Sequence, residues 1–199
     1  MDALDKDGIM AERDKTKDGA SDGLTLRAAT SEDGSDVWQL IRESGPLDEN
    51  SMYCNTLQCD HFGETCVIAE LDGQIVGWVS AFILPSDPET LFIWQVAVDS
   101  KARGMGVARR MLEHLLARDV CADIKRLQTT ITADNEASWA LFNSFADHMD
   151  ATLEREPHYK RDTHFEGRHA TEYMVTISEI EANEARKTAT EDGKAKVAP

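Results

Sequence analysis

Apolar and polar residues along this chain repeat with two different periods, and the switches between them mark out the elements. The stretch "LTLRAAT" (24–30) reads as a strand, and Thr30 with Asp33 three residues later resembles a capping box opening a helix. Val37, Leu40 and Ile41 give that helix a buried stripe, and Gly45-Pro46 stops it. The polar-aromatic segment from Asp48 to Gly63 predicts a short helix with loops. "TCVIAELDGQIVGWVSAFILP" reads as two strands joined at Asp72-Gly73, a hairpin signal. "TLFIWQVAV" is apolar on both faces and is therefore a central strand. A helix over 107–117, a strand at "RLQTTITA" and a helix over "NEASWALFNSF" follow. Two late strands, near "HYKRDTHF" and "TEYMVTIS", close the pattern. The order β-α-(α)-β-β-β-α-β-α-β-β predicts an α/β (α+β) fold, a mixed sheet with helices on both faces.

Residues 1–23 and 179–199 are polar and nearly free of large apolar groups, which predicts disordered tails around one domain at 24–178. The chain carries 37 acidic and 21 basic residues, a net charge of −16. Residues 24–178 alone hold 25 acidic and 13 basic groups, so the acidity belongs to the domain surface. Such a surface repels phosphates and argues against nucleic acid or an anionic membrane as partner. Only Lys101, Lys125 and Lys160 lie in that region, against ten arginines, a balance compatible with a salty cytoplasm. No apolar run approaches the ~20 residues that span a bilayer, and the charged N-terminus has no signal-peptide core. Cys54, Cys59, Cys66 and Cys121 read as free thiols in a reducing cytoplasm. Cys54-x4-Cys59-x-His61-x4-Cys66 lacks the close pairing of zinc ligands, so no metal is expected.

The central strand runs into Arg103-Gly104-Met105-Gly106-Val107-Ala108 just where a helix has to start. Glycines there leave free N–H groups at a helix N-terminus, a ready anion site. A P-loop needs Gly-Lys-[Ser/Thr], and here Val107-Ala108 follows Gly106. A dinucleotide fingerprint wants a small residue where Arg109 stands. The pattern that fits is R-x-x-G-x-A.

Preceded by "VAVD", followed by an amphipathic helix and seconded by "ADNEASWALFNSF", this pattern resembles the GNAT superfamily of acyl-CoA-dependent N-acyltransferases over roughly residues 24–178. The resemblance implies a GNAT-type, mostly antiparallel sheet and acetyl-CoA as co-substrate. It places the CoA pyrophosphate at Arg103, Gly104, Met105, Gly106, Val107 and Ala108. The pantetheine arm would run along backbone groups of the strand, here Val96, Ala97 and Val98. Asn135 and Ser138 match an Asn at a strand end with a small residue three positions on. A homodimer is expected from the resemblance only.

"LDENSMYCNTLQCDHFGETCVIAELDGQIVGWVS", "ETLFIWQVAV" and "ITADNEASWALF" together are similar to the L-2,4-diaminobutyrate acetyltransferases of ectoine synthesis. That implies acetylation of a γ-amine in the making of a compatible solute. The γ-ammonium, with a pKa near ~10, must lose a proton before it can attack a thioester. The α-ammonium stays charged and calls for a carboxylate. Asp48, Ser51 and Tyr53 in "LDENSMY" can supply an anion, a hydroxyl and an aromatic wall, with Trp94 as a further wall. His169 and Glu172, three apart in "GRHATEY", are the candidate catalytic pair beside Asp48. Many GNAT enzymes carry a Tyr that protonates the leaving thiolate; here Phe142 occupies the place, with Phe145 beyond it. His158 and Tyr159 are possible substitutes, and a thiolate with pKa near ~8.5 can also leave unassisted. The competing readings are another acceptor, such as a polyamine, and a CoA-binding module without catalysis.

Overall fold

The computed structural model describes residues 23–45 and 49–180. Strand β1 (Leu24–Ala28) turns into helix α1 (Gly34–Glu43), and helix α2 (Met52–His61) follows. Strands β2 (Val67–Leu71), β3 (Gln74–Leu84) and β4 (Asp87–Val98) come next as two hairpins. Helix α3 (Val107–Leu116), β5 (Arg126–Thr132), α4 (Glu136–His148), β6 (Thr152–Tyr159), the one-turn α5 (Arg161–His164) and β7 (Glu172–Ser178) complete the chain order. The strands form one sheet in the order β1-β2-β3-β4-β5-β7-β6. Every neighbouring pair is antiparallel except β4 and β5, which run parallel. This is the mixed, mostly antiparallel sheet that the resemblance implies, and the apolar strand β4 is its middle member.

Local chemistry explains the joints. Asp72 (φ 52°) and Gly73 (φ 75°) both adopt the left-handed region, as a two-residue hairpin of the primed type requires. Thr30 and Asp33 do form the expected reciprocal contact, the Thr30 amide donating to Asp33 Oδ2 at 2.8 Å. Asp33 is held twice, because Arg27 also donates to both of its carboxylate oxygens, at 2.8 and 2.7 Å. Gly34 lets α1 and α2 cross: a Cβ there would sit 2.7 Å from the Thr56 Cα.

The sheet is covered on both faces. Val37, Leu40 and Ile41 of α1 pack with Cys59, Ile68, Trp78 and Ala97 on one side. On the other, α3 and α4 bury Met111, Leu112, Leu115, Phe142 and Phe145 against Val79, Leu91, Ile93, Leu127 and Val175. Ile180, two residues past the expected domain end, is 3% exposed and belongs to this second core. Most of the expected tails lies outside the described residues.

Two element assignments need correction. The first late strand is Thr152–Tyr159, not the segment near "HYKRDTHF", whose residues 161–164 turn helical. As the outermost strand of the sheet, β6 exposes nearly every side chain and tolerates Pro157, so no period marks it. Residues 52–61 form a full ten-residue helix rather than a short one amid loops.

Two irregularities of β4 create the site. Its parallel ladder with β5 covers only Thr90 to Phe92, opposite Arg126 to Gln128. Beyond that the strands part, which leaves the β4 edge from Ile93 onward without a strand partner on that side. Ser80 pairs with Gln95 but Ala81 with Ile93, so Trp94 is the extra residue of a bulge. The bulge also flips the phase of the strand. Leu91 and Ile93 face the α3/α4 core before it, whereas Ala97 faces α1 after it.

Candidate active site

At the end of β4 the chain turns through Gly104 (φ 80°) and Gly106 (φ 71°), conformations that L side chains resist. No atom lies within 4 Å of a Cβ built on either glycine, so both backbones border an open concavity. The first helical bond of α3 runs from the Arg110 amide to the Gly106 carbonyl. The amides of Gly106, Val107, Ala108 and Arg109 therefore precede any intrahelical acceptor and present the positive end of a helix. Such a helix start can hold a phosphate group, as the resemblance implies. Met105, expected beside these glycines, donates its amide to the Ala102 carbonyl, and its side chain packs against the core. The Arg103 guanidinium reaches away from the turn and donates to the Ser44 carbonyl at the C-terminus of α1.

From the cradle a groove follows the free edge of β4. Its first part, bordered by Gly104, Gly106 and Ala108, shares Val98, Arg103 and Leu141 with the next. That middle part is lined by Val96, Ala97 and Val98 on one side and by Ser44 and Gly45 on the other. Val96, Asn135 and Ser138 lead on into a cavity of about 470 Å³ where β4 and β5 have parted. The groove thus runs from the glycine turn at one end to a polar cavity at the other. Asn135 caps α4, its side-chain oxygen accepting from the Ser138 amide at 3.1 Å, which fixes both residues at the junction.

The inner cavity is bordered by Asn50, Trp94, Gln95, Thr129 to Thr132, Asp134, Phe142, His169, Ala170 and Glu172. Trp94 is 47% exposed because the bulge turns it outward. His169 Nδ1 lies 2.9 Å from the Ala170 carbonyl oxygen and Nε2 lies 3.8 Å from Glu172 Oε1. A carbonyl can only accept, so Nδ1 carries the proton and Nε2 is the atom turned toward Glu172. The expected pair is therefore brought together, beside Trp94. Ser51 and Tyr53 stand at the start of α2, next to Asn50; Ser51 caps the helix through the Cys54 amide at 3.1 Å, and Tyr53 is 72% exposed. Neither borders the cavity, and Asp48 lies outside the described residues. His158 and Tyr159 sit on β6 and α5's flank, with their rings 4.3 Å apart, and do not border the cavity either. Phe142 does border it, with no hydroxyl to offer.

Asp134 and the β5 threonines escaped the sequence reading. A hydrogen bond from the Thr132 hydroxyl, then one from its own amide, holds the Asp134 carboxyl below the usual range. Asp134 stands inside "ADNEAS", directly before the capping Asn135, and a carboxylate there is ordinary in a turn. The Cys54–Cys66 stretch shows no ligand cluster: among the described residues no group of three His, Cys, Asp or Glu side chains is placed to hold a metal. Burial raises both Cys59 and Cys66 to about 12, which keeps them as neutral core thiols.

Comparison with known proteins places this geometry. The profile of the acetyltransferase (GNAT) family matches residues 34–146. A protein of Methylotuvimicrobium alcaliphilum named L-2,4-diaminobutyric acid acetyltransferase is 47% identical over 162 residues, 81% of this chain and 94% of its own. One of the same name from Vibrio cholerae is 48% identical, over 76% of this chain and 88% of its own. Among solved structures, the diaminobutyrate acetyltransferase of Paenibacillus lautus, in complex with L-2,4-diaminobutyric acid and coenzyme A, superposes with a TM-score of 0.76. It is 39% identical and covers 79% of this chain and 96% of its own. The Ard1 structure from Thermoplasma volcanium, at 16% identity and a TM-score of 0.60, shares the fold alone. With a glycine-turned helix cradle, a split central sheet and a family match over more than half its length, this chain belongs to the acetyltransferase (GNAT) family.

Proposed function

We propose that the protein transfers the acetyl group of acetyl-CoA to the γ-amine of L-2,4-diaminobutyrate, giving the N-γ-acetyl product used in ectoine synthesis. The observation that carries this reading is the continuity of the groove: a phosphate cradle at Gly104–Ala108 leads directly to a cavity holding Trp94, His169 and Glu172. The diaminobutyrate acetyltransferases that the chain matches over most of their length support the same acceptor.

Acetyl-CoA supplies an activated thioester, and the chain's residues place and prepare the amine. The cradle amides neutralise the pyrophosphate, and the free edge of β4 offers backbone partners to the pantetheine arm. Glu172, its side chain 15% exposed, accepts the proton of the γ-ammonium, which frees the lone pair for attack on the thioester carbonyl. His169 stands beside Glu172 and supports its ionised form when itself protonated. As the new C–N bond forms, the C–S bond breaks and the thiolate leaves, while the nitrogen gives its second proton to water; with Phe142 in the usual tyrosine place, no side chain assists the departure. Asp48 supplies the carboxylate for the α-ammonium, with Ser51 and Tyr53 following it in the chain and Trp94 as the wall.

The protein works in the cytoplasm as a homodimer. All four cysteines are free and no described helix is long and apolar enough to cross a membrane, in keeping with a reducing compartment. The dimer rests on the resemblance alone, and sedimentation velocity tests it. The function itself is tested by thiol release from acetyl-CoA across 2,4-diaminobutyrate, ornithine, lysine and spermidine. The reading expects diaminobutyrate to give the highest kcat/KM by far. A preference for spermidine would move the acceptor to polyamines, and silence toward every amine would leave a CoA-binding module.

A further inference from the structure

Helix α2 turns a mixed face inward. Its buried residues are Asn55, Gln58 and Cys59, and Asn55 is 0% exposed. Beneath it on β3, Trp78 packs with Cys59, and Phe82 meets Phe62 at the end of the helix, ring centroids 5.8 Å apart. Side chains alternate along a strand, so Ser80, between Trp78 and Phe82 and 1% exposed, points at α2 as well. The layer between helix and sheet therefore holds polar groups from both sides. Five of their atoms, Asn55 Nδ2 and Oδ1, Gln58 Oε1, Trp78 Nε1 and Ser80 Oγ, have no hydrogen-bond partner among the described residues. The other end of Gln58 is engaged, its Nε2 donating to Cys54 Sγ at 3.6 Å. Unsatisfied, so many buried atoms in one layer would cost a large part of a domain's marginal stability.

We propose that this layer is a binding site for ordered water, and that Asn55, acting through that water, is a positioning residue for the acceptor side of the active site. The mix of donors and acceptors selects the ligand. Asn55 Nδ2 and Trp78 Nε1 only donate, Asn55 Oδ1 and Gln58 Oε1 only accept, and Ser80 Oγ does both. Water serves both kinds, whereas a cation would meet the two N–H groups and an anion the two carbonyl oxygens. None of the five atoms bonds another directly, which is the spacing that a bridging water closes. The site backs onto the acceptor cavity. Ser80 is the cross-strand partner of Gln95, which is 9% exposed and borders that cavity. Asn55 stands one turn after Ser51, the cap of α2, to whose carbonyl its amide donates at 3.1 Å. Asn50, just before the cap, borders the cavity too. Water bonded to Asn55 on one side and Ser80 on the other thus sets the height of the start of α2 over β3 and β4. That height fixes the span from Asn50 to Gln95 across the cavity. The consequence for the amine rests on the reading that this cavity takes the acceptor; the water site itself does not.

A crystal structure of the full chain, at a resolution that shows ordered solvent, tests the site. It should place a water within hydrogen-bond distance of both Asn55 and Ser80. Direct pairing of these side chains with no water between them, or a metal cation in that place, overturns the site. Kinetics test the positioning. Turnover of diaminobutyrate by the wild type is established first by thiol release, so a failed substrate reading is seen there and not here. Asn55→Leu keeps the volume and removes every polar atom of the side chain. Its KM for the amine should rise about threefold or more, as when a well-ordered water is lost, with kcat and the KM for acetyl-CoA little changed. Ser80→Ala, the milder change, should shift the amine KM in the same direction. Because both act through one water, the double variant should do no worse than the worse single. Fully additive effects, a wild-type amine KM in both single variants, or an equal rise for acetyl-CoA overturns the positioning role.

Discussion

The chemistry assigned to single residues makes separable demands. Gly106 stands at φ 71° with open space where a side chain would point, so a β-branched group there both strains the turn and fills the cradle. Gly106→Val should weaken CoA binding tenfold or more, about 1.4 kcal/mol, with the fold retained by circular dichroism. Isothermal titration with CoA checks it, and unchanged affinity would remove the cradle. Glu172→Gln should instead lower kcat more than it raises KM, and the pH–rate profile should lose its acidic limb. At this scale the sequence was informative wherever a residue type has one physical use. Glycines before a helix, and an Asn that caps one, announce themselves. Asp134 and the cleft-lining threonines did not, because such residues are ordinary in turns and strands until two strands part beside them.

Elements were legible in proportion to how completely they bury one face. Helix α3 matches its predicted span to within a residue, and α1 buries the predicted stripe, because both apolar stripes are clean. Helix α2 was underestimated since it buries Asn55 and Gln58 along with Cys59, polar residues that leave no stripe to read. The bulge at Trp94 was hidden for the opposite reason: a strand apolar on both faces gives no sign when its phase shifts. One joint between elements also sets a pH response. Burial works to raise the Asp33 carboxyl, but hydrogen bonds from Arg27 and from Thr30 outweigh it and hold the group below its usual value. A folded-state value below the unfolded one adds stability that is present above the unfolded pKa, near ~4, and is lost as pH falls through the folded value. The melting temperature should therefore drop as pH falls below about 4, and Asp33→Asn, less stable near neutrality, should show a shallower acid decline; equal slopes for the two proteins would contradict the assignment.

For the whole molecule, the described fold ends at Ile180, which seals the α3/α4 core. A chain trimmed to 22–180 should melt where the full chain does and keep its activity, as the polar composition of the removed ends predicts. Ile180→Ala should cost about 2–3 kcal/mol by denaturant titration. The acidic surface narrowed the range of partners but carried no information on the acceptor, since two carboxylates in a cleft suit any cationic amine. The resemblance supplied that step, and the cavity made it chemically reasonable. The most direct measurement is therefore the identity of the product. Acetyl-CoA carrying a 13C-labelled acetyl group is incubated with the protein and diaminobutyrate, and the amide is located by two-dimensional NMR. The account predicts a single labelled amide on the γ-nitrogen, formed in step with free thiol. A label on the α-nitrogen, or free labelled acetate with no amide, would contradict it.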